Sequence, residues 1–230
     1  MLKESTLLVA PVVPVIKNPN SEDVSFPVDL ELWHQLGDRI GFTIGDARFA
    51  QFAASDTDAL FEIRNHPTVT PFMPSSQAIP YERHVEWVKS TLLAPGKDTP
   101  LILIGRVAGQ PIGFGILKPT GEAGTLEIGV IVAGMAQRNS LPLKLGAALI
   151  TLAAQLFGAR TLVSYVNQKH NDALRLNSGA GLIRTESSAK PGEFFFRTPI
   201  EIAASTPLYR RCVRGMTIDI YPDNSDQLPA

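Results

Sequence analysis

The stretch EIGVIVAGMAQRNSLPLKLGAAL (127–149) decides how the rest of the chain is interpreted. Its first part is an apolar, β-branched run that favours a strand, and its last part is rich in Leu and Ala at helical spacing. The bend between them, 133–142, leads into a helix start, whose first amides lack internal partners and attract anions. It has neither the glycines of a dinucleotide loop nor a Gly-Lys-Ser ending. It is therefore either a phosphate cradle or an ordinary helix start capped by Asn139 or Ser140.

The elements around this stretch follow a mixed order. Apolar or alternating runs predict seven strands, at 48–52, 101–107, 111–118, 125–132, 161–166, 193–200 and 215–221. Helical spacing predicts helices within 28–41, 55–67, 80–93, 143–157 and 171–181. A three-strand meander that feeds a helix-crossed strand implies a mixed sheet. We therefore expect an α/β (α+β mixed) fold, with a central twisted mixed sheet of about six to seven strands flanked by helices.

Two local signals bound the helix within 55–67. Ser55 and Asp58 form a capping-box pattern at its start. Pro67 should end it, because the residue before a proline avoids helical dihedral angles. Downstream, AGQ (108–110) joins two strands and predicts a hairpin.

Composition narrows the function classes. The chain has 230 residues and a formal net charge of −1, which gives no reason to expect nucleic acid or anionic membrane as a partner. A single cysteine, Cys212, excludes an internal disulfide framework and a cysteine-based zinc site, and favours a reducing cytoplasm. The four histidines lack metal-ligand spacing, so no metal is expected. The apolar start is interrupted by Pro11 and Pro14, and we expect a soluble cytoplasmic protein.

The chain divides into three parts. Residues 1–46 are expected to form an N-terminal arm with a short helix, 47–200 the main domain, and 201–230 a C-terminal extension that includes a last strand. The arm carries LLVAPVVPVI (7–16), which is too apolar to remain alone in water, and its prolines prevent a helix. We expect it to lie extended against the sheet of its own chain, or against a second subunit of a homodimer.

Four segments resemble the GNAT N-acetyltransferase superfamily, most closely the branch that contains the ribosomal-protein N-terminal acetyltransferases. Glu127-Ile128-Gly129 matches the family's Glu-Ile-Gly strand, and after seven intervening residues Gln137 opens its Q/R-x-x-G-x-G/A loop. Ser140 and Pro142 stand where the glycine and the Gly or Ala of that loop belong. The other segments are LFGARTLVSYV (156–166), HNDALRLNSGAGL (170–182) and DTDALFEIRNHPTVTPFM (56–73). The resemblance covers roughly 46–200 without gaps between motifs.

This resemblance implies acetyl-CoA as a co-substrate. Its pantetheine arm would enter between splayed strands, here 125–132 and 161–166, and its pyrophosphate would lie on amides of 137–142. Pro142 lacks an N–H, and Arg138 and Lys144 could partly replace that donor as charges. The residues implied to bind the cofactor are Ile128, Val130, Val132, Gln137, Arg138, Asn139, Ser140, Leu141, His170 and Arg175.

The resemblance also implies direct acetyl transfer to an amine. An alkyl ammonium has a pKa of about 10, so a base must take its proton, and Glu127 is the candidate. The thiolate acid that relatives carry on the last helix is missing, because the matching positions are Asn177 and Ala173, with Tyr165 as a substitute by type only. Two functions stay open: an N-acetyltransferase, and an acyl-CoA-binding protein with lost or altered catalysis.

The acceptor is a primary amine, either a protein N-terminus or a small molecule such as a nucleotide-linked amino sugar. Similarity to acetyltransferases of such sugars places the acceptor pocket against the loop after 55–67 and the next helix. The residues implied to bind the acceptor are Arg64, Asn65, His66, Met73, His84 and Trp87. Met73 and Trp87 are, by type, also common core residues.

Overall fold

The structure is a computed structural model that describes residues 15–17, 27–73, 75–94, 96–134, 140–185 and 191–222. Its helices are α1 (Leu30–Leu36), α2 (Thr57–Asn65), α3 (Tyr81–Trp87), α4 (Leu141–Gln155), α5 (Asn171–Gly179), α6 (Ile200–Ser205) and α7 (Pro207–Val213). Its strands are β1 (Val15–Lys17), β2 (Asp38–Ile44), β3 (Ala47–Gln51), β4 (Leu101–Val107), β5 (Gln110–Pro119), β6 (Thr125–Val132), β7 (Thr161–Asn167), β8 (Arg184–Thr185), β9 (Glu193–Pro199) and β10 (Thr217–Pro222).

These strands form one mixed sheet in the order β1-β10-β2-β3-β4-β5-β6-β7-β9-β8. The pairs β1–β10 and β6–β7 are parallel, and the others are antiparallel. The predicted mixed α/β fold is confirmed, but the sheet has ten strands where six to seven were expected. β1 and β8 have only three and two residues, too few to show an alternation. Only Gly37 separates α1 from β2. The start of β2, with its alternating Ile40, Phe42 and Ile44, therefore fell within the predicted helix, and no strand was predicted there.

Helices cover both faces of the sheet. On one face α4 packs on the inward side chains of β2 and β4–β7, including Phe42, Leu103, Leu117 and Leu162. On the other face α2 and the chain after it cover Ile102, Ile104 and Phe114 of β4 and β5. Most of the large apolar core therefore lies under α4, whose helix is apolar nearly all round.

The predicted helices are present, with corrections to some of their boundaries. α1 ends at Gly37 with φ 68°, and α2 ends at Asn65, before Pro67, as expected. The capping box of Ser55 and Asp58 is wrong: a 3₁₀ turn (54–56) precedes α2, and the Asp56 carboxylate accepts the amide of Ala53 at 3.0 Å. The predicted 143–157 helix is α4, which begins two residues earlier and ends at Gln155. The predicted 80–93 helix is α3 followed by a π-helical turn at Val88–Leu92.

The two ends of the chain meet in the sheet. β10 enters between β1 and β2, so the C-terminal extension adds a strand beside the N-terminal one. The boundary expected at 46/47 falls within the β2–β3 hairpin, and the boundary expected at 200/201 falls inside α6. Residues 15–17 of the arm pair with their own chain, whereas 1–14 lie outside the described residues. In the described part of the chain, no helix combines the length and hydropathy needed to cross a bilayer.

Candidate active site

The neighbouring strands β6 and β7 separate partway along their length. They pair at Thr125↔Thr161, Leu126↔Leu162 and Glu127↔Val163, and their pairing within the described residues ends there. β6 continues to Val132 and remains paired with β5 throughout. The peptide groups of 128–131 that face β7 are therefore left outside the ladder, which is the splay that the sequence resemblance implied.

A pocket opens at this split on the α4 side of the sheet. It is lined by the β6 segment 128–130, by α4 at Gly146 and Ala147, by α5 at Asn177, and by α7 at Tyr209. The empty space measures about 450 Å³, counted out to its solvent mouth. An elongated apolar chain could therefore lie along the strand with polar peptide groups beside it.

The wall contributed by α7 was not expected from sequence. The Tyr209 hydroxyl is 2.9 Å from Thr151 Oγ1 of α4, and burial raises the pKa of Tyr209. Thr206 caps α7 by accepting the Tyr209 amide, and Pro207 is its first residue. A Thr-Pro pair before an apolar-aromatic segment is a helix-start signal, and it could have located this wall.

Helix α4 starts beside the pocket. Ser140 is its exposed N-cap residue, but its side chain makes no capping hydrogen bond, so it does not act as the ordinary cap considered above. Leu141 is buried against the core and Pro142 follows it. The Lys144 ammonium is 2.7 Å from Asp46 in the β2–β3 turn, so its charge is directed there. Gln137, Arg138 and Asn139 lie outside the described residues.

Glu127 occupies the fork where the two strands part. It is the last β6 residue paired with β7, it lies opposite Lys118 of β5, and it is half-buried. Paired residues share a sheet face, so Glu127 lies on the face of Val163 and Tyr165, opposite the face that carries α4. Ile128, Val130 and Val132 alternate onto the α4 face. The carboxylate and the pocket are therefore on opposite sides of the same split.

The loop after α2 reaches the upper end of the split. Thr68 Oγ1 accepts the Gly134 amide at 2.9 Å, just beyond β6. His66 Nδ1 accepts the Thr68 amide at 3.2 Å. Phe72 stacks on His170 with ring centroids 3.9 Å apart, and Met73 follows it half-buried. The structure thus places His66 beside Gly134 at the end of β6, and it places Phe72, the neighbour of Met73, on His170 just after β7.

His170 connects this loop to α5. Its Nδ1 accepts the Ala173 amide at 3.5 Å, as the N-cap residue of α5. Burial lowers the pKa of His170, although the Asp172 carboxylate acts in the opposite direction. A neutral ring is therefore favoured in the stack with Phe72.

Four other residues expected at the acceptor site make contacts within α2, α3 and their connection. Asn65 uses both amide atoms, donating to Ile79 O at 2.9 Å and accepting from Ile79 N at 2.8 Å. Arg64 lies 4.4 Å from the ring centroid of Trp87, and burial lowers the pKa of Arg64. His84 is buried, and its Nε2 is 3.0 Å from the Thr57 carbonyl. These contacts hold α2 and α3 together, and none of them is directed towards the split.

Of two α5 residues considered from sequence, one is exposed and the other lines the pocket. Arg175 is exposed and lies 4.0 Å from Asp172 on its own helix. Asn177 lines the pocket and donates to Ser164 Oγ of β7 at 3.1 Å. The Tyr165 ring packs on Phe195 at 5.0 Å. Across the described residues, no group of three or more His, Cys, Asp or Glu side chains could hold a metal ion.

Comparison with solved structures places this fold among known acetyltransferases. The aminoglycoside acetyltransferase AAC(6')-Ib, solved with ribostamycin and coenzyme A, has 17% identity and a TM-score of 0.60 over 71% of this chain and 98% of that one. Salmonella typhimurium yncA, solved with its cofactor acetyl-CoA, has 19% identity and a TM-score of 0.54 over 68% and 95%. The ribosomal-protein-alanine N-acetyltransferase of Brucella melitensis has 18% identity and a TM-score of 0.52 over 66% and 98%.

These identities are low enough that the structures show a shared fold and no more. No curated protein matches the chain. The family model described as the acetyltransferase (GNAT) domain matches residues 47–182, more than half of the chain, and it spans the split strands, the α4 start and the α2 loop. The chain therefore belongs to the GNAT acetyltransferase family.

Proposed function

We propose that the protein is an N-acetyltransferase that moves the acetyl group of acetyl-CoA to a primary amine. The observation that carries this proposal is the split between β6 and β7, which leaves the β7-facing edge of 128–131 outside the ladder beside an apolar pocket. The pantetheine arm of acetyl-CoA is a narrow chain with amide groups at intervals, and such a chain suits this combination. Solved members of the same fold carry acetyl-CoA or coenzyme A.

The pyrophosphate would rest on 137–142, at the start of α4. The start of a helix carries partial positive charge, which attracts a phosphate group. One amide is missing at Pro142, and Lys144 is paired with Asp46. We therefore expect weaker cofactor binding than in relatives whose loop keeps both glycines.

Glu127 is the proposed general base. The neutral amine attacks the thioester carbonyl, the nitrogen gives its proton to the Glu127 carboxylate directly or through water, and the C–S bond breaks to release a thiolate. His66 is less suited to this role, because its Nδ1 already accepts a hydrogen bond from the Thr68 amide. The fork position lets the carboxylate approach from the face opposite the cofactor pocket.

The thiolate leaves without an obvious acid. Asn177 and Ala173 occupy the positions where relatives carry one, and neither can donate an acidic proton. A thiol of pKa about 8.5 is a fair leaving group, so solvent can protonate it. The same observation favours the second candidate function, an acyl-CoA-binding protein with lost or altered catalysis.

The acceptor is proposed to enter beneath the loop 66–73, next to His66 and Met73. Among proteins of this fold, the aminoglycoside acetyltransferase AAC(6')-Ib was solved with ribostamycin, and another is a ribosomal-protein-alanine N-acetyltransferase. We propose a primary amine on a protein N-terminus, in line with the ribosomal-protein branch that the sequence resembles, or on a small molecule such as a nucleotide-linked amino sugar. A cytoplasmic location and a homodimer belong to the same proposal.

Glu127→Gln tests the base, because it preserves shape and removes basicity. We expect turnover to fall about 100-fold or more, with acetyl-CoA affinity nearly unchanged. The assay is thiol release with a panel of protein N-terminal peptides and amino sugars, with calorimetry for acetyl-CoA. Glu62→Gln, on the exposed face of α2, is the matched control. No heat at millimolar acetyl-CoA would remove the cofactor assignment, whereas binding without thiol release from any amine would favour the binding protein.

A further inference from the structure

A group of basic side chains lies on the sheet outside the acetyl-transfer split. Arg39 is on β2, Arg48 on β3 and Arg106 on β4. Arg48 is directly paired with Arg106 on one side and with Thr43 on the other, and Arg39 precedes Thr43 by two alternations. Paired and alternate residues share a face, so all three guanidinium groups project from the face that carries α2. We call these three residues, together with Tyr221, the arginine face.

Tyr221 supplies a polar group that the fold leaves without a partner. It lies on β10 opposite Arg39 and is 8% exposed. Its ring crosses Gly41 of β2, where an added Cβ would lie 3.1 Å from Tyr221 Cε1. Its hydroxyl is buried and has no hydrogen-bond partner among the described residues. A buried hydroxyl without a partner is uncommon and indicates a missing ligand or water.

Several groups on this face already have partners. Asp56 is bonded to Arg106, Arg39 donates to the Phe52 carbonyl at 3.5 Å, and within the described residues Asp219 lies on the same face beside Gly41. Like charges placed directly opposite on paired strands destabilise a sheet, as Arg48 and Arg106 are placed. Burial raises the pKa of Tyr221 and the Asp56 carboxylate adds to this rise, while the charges of Arg39, Arg48 and Arg106 act in the opposite direction. The Tyr221 hydroxyl lies over Gly41, which pairs with Ala50, and Arg48 is one alternation along β3 from Ala50 on the same face.

We propose that the arginine face binds a small oxyanion, a phosphate or carboxylate group, between Arg48 and the Tyr221 hydroxyl. A guanidinium fork matches two oxygens of either group, and the hydroxyl supplies a further donor. An anion there pairs with the Arg48 charge and gives the Tyr221 hydroxyl its partner. β4 and β5 separate β3 from β6, which puts this site about 15 Å from the split. It is therefore a second site, independent of the proposed acetyl transfer.

Thermal unfolding of the full chain with inorganic phosphate tests this proposal at constant ionic strength. We expect the melting temperature of the wild type to rise and saturate at millimolar phosphate. Arg48→Gln and Tyr221→Phe should each lose most of this rise. Tyr221→Phe should also melt no lower than the wild type without phosphate, because it removes a buried hydroxyl that has no partner. Arg83→Gln, at an exposed position of α3, is the matched control and should keep the whole rise.

Only differences between variants count, because phosphate could also bind at the start of α4. A parallel titration with malonate distinguishes the two ligand classes. If the melting temperature saturates with phosphate alone, the ligand is a phosphate, and if it saturates with malonate alone, the ligand is a carboxylate. If Arg48→Gln and Tyr221→Phe keep the same saturable rise as Arg83→Gln, the ion binds elsewhere and the proposal is wrong. A rise that never saturates in any variant is a general salt effect and also overturns it.

Discussion

The two edges of β6 differ although they belong to one strand. Towards β5 it pairs through seven residues, from Leu126 to Val132, whereas towards β7 it pairs through three, from Thr125 to Glu127. The backbone could pair equally on both sides, so the difference comes from what the neighbouring elements allow. A cleft of this kind arises where a strand loses its neighbour, and it needs no distinctive side chain.

Glycines serve opposite purposes at these two edges. At the closed edge, Gly113 of β5 lies so near β6 that an added Cβ would be 2.8 Å from Ile131 O and 3.2 Å from Val132 Cα. At the open edge, Gly146 of α4 faces the pocket, and the atom nearest to an added Cβ is Val130 Cγ2 at 3.9 Å. One glycine permits close approach, and the other leaves room for a ligand.

Breaking the closed edge should have the largest effect. Gly113→Ala places a methyl group against backbone atoms of β6, which cannot move without disturbing the ladder. We expect the free energy of unfolding to fall by about 2 kcal/mol. Urea denaturation followed by circular dichroism would measure this loss.

Gly96→Ala is the matched control, because the nearest atom to its added Cβ is Thr99 Oγ1 at 3.9 Å. It should change the free energy of unfolding little. Equal free energies of unfolding for the two variants would mean that β5 and β6 can separate to accept the methyl group. The interpretation of this edge as closely packed would then be wrong.

Sequence patterns located the central strands but not the ends of the sheet. β4, β5 and β6 have long apolar or alternating runs between turn residues, so periodicity was sufficient. β1 and β8 are defined by their partners, since two or three residues carry no period. α6 and α7 were not predicted, because helices of six and seven residues are too short to show a clear apolar period.

The site was predictable only where a motif has fixed spacing. The Glu-Ile-Gly register placed Glu127, which lies at the fork of the split. Residue type alone could not show that Asn65 bonds to Ile79 or that His84 is buried in the α2–α3 interface, because those facts depend on tertiary contacts. The arginine face combines residues 39, 48, 106 and 221, so no local window of sequence contains it.

Filling the open edge should have a smaller effect on stability, and one of opposite sign. Gly146→Ala improves helix propensity inside α4 and meets no close atom, so the free energy of unfolding should rise by about 1 kcal/mol. The same methyl group enters the pocket, so acetyl-CoA should bind more weakly. Urea denaturation and calorimetry together test both parts.

Ser178→Ala is the control for Gly146→Ala, because it improves the propensity of α5 at an exposed position outside the pocket lining. It should raise stability slightly and leave acetyl-CoA affinity unchanged. If Gly146→Ala stabilised the protein without weakening acetyl-CoA binding, the cofactor would not pass along α4 at this point.

The smallest expected effect is a dependence of stability on pH at the upper end of the open edge. Burial lowers the pKa of His170 below its ordinary 6.5, so the folded state favours the neutral ring that stacks on Phe72. The unfolded chain takes up this proton at higher pH, so the stabilising contribution is complete above about pH 6.5 and is lost as the pH falls towards the folded pKa. Burial also lowers the pKa values of His34 and His84, which add to the same slope.

His170→Asn keeps a side chain that can cap α5 and removes the titration, so its loss of stability between about pH 8 and pH 5.5 should be smaller than that of the wild type. Urea denaturation at each pH measures both slopes, and identical slopes would mean that His170 is equally easy to protonate in the folded and unfolded chain.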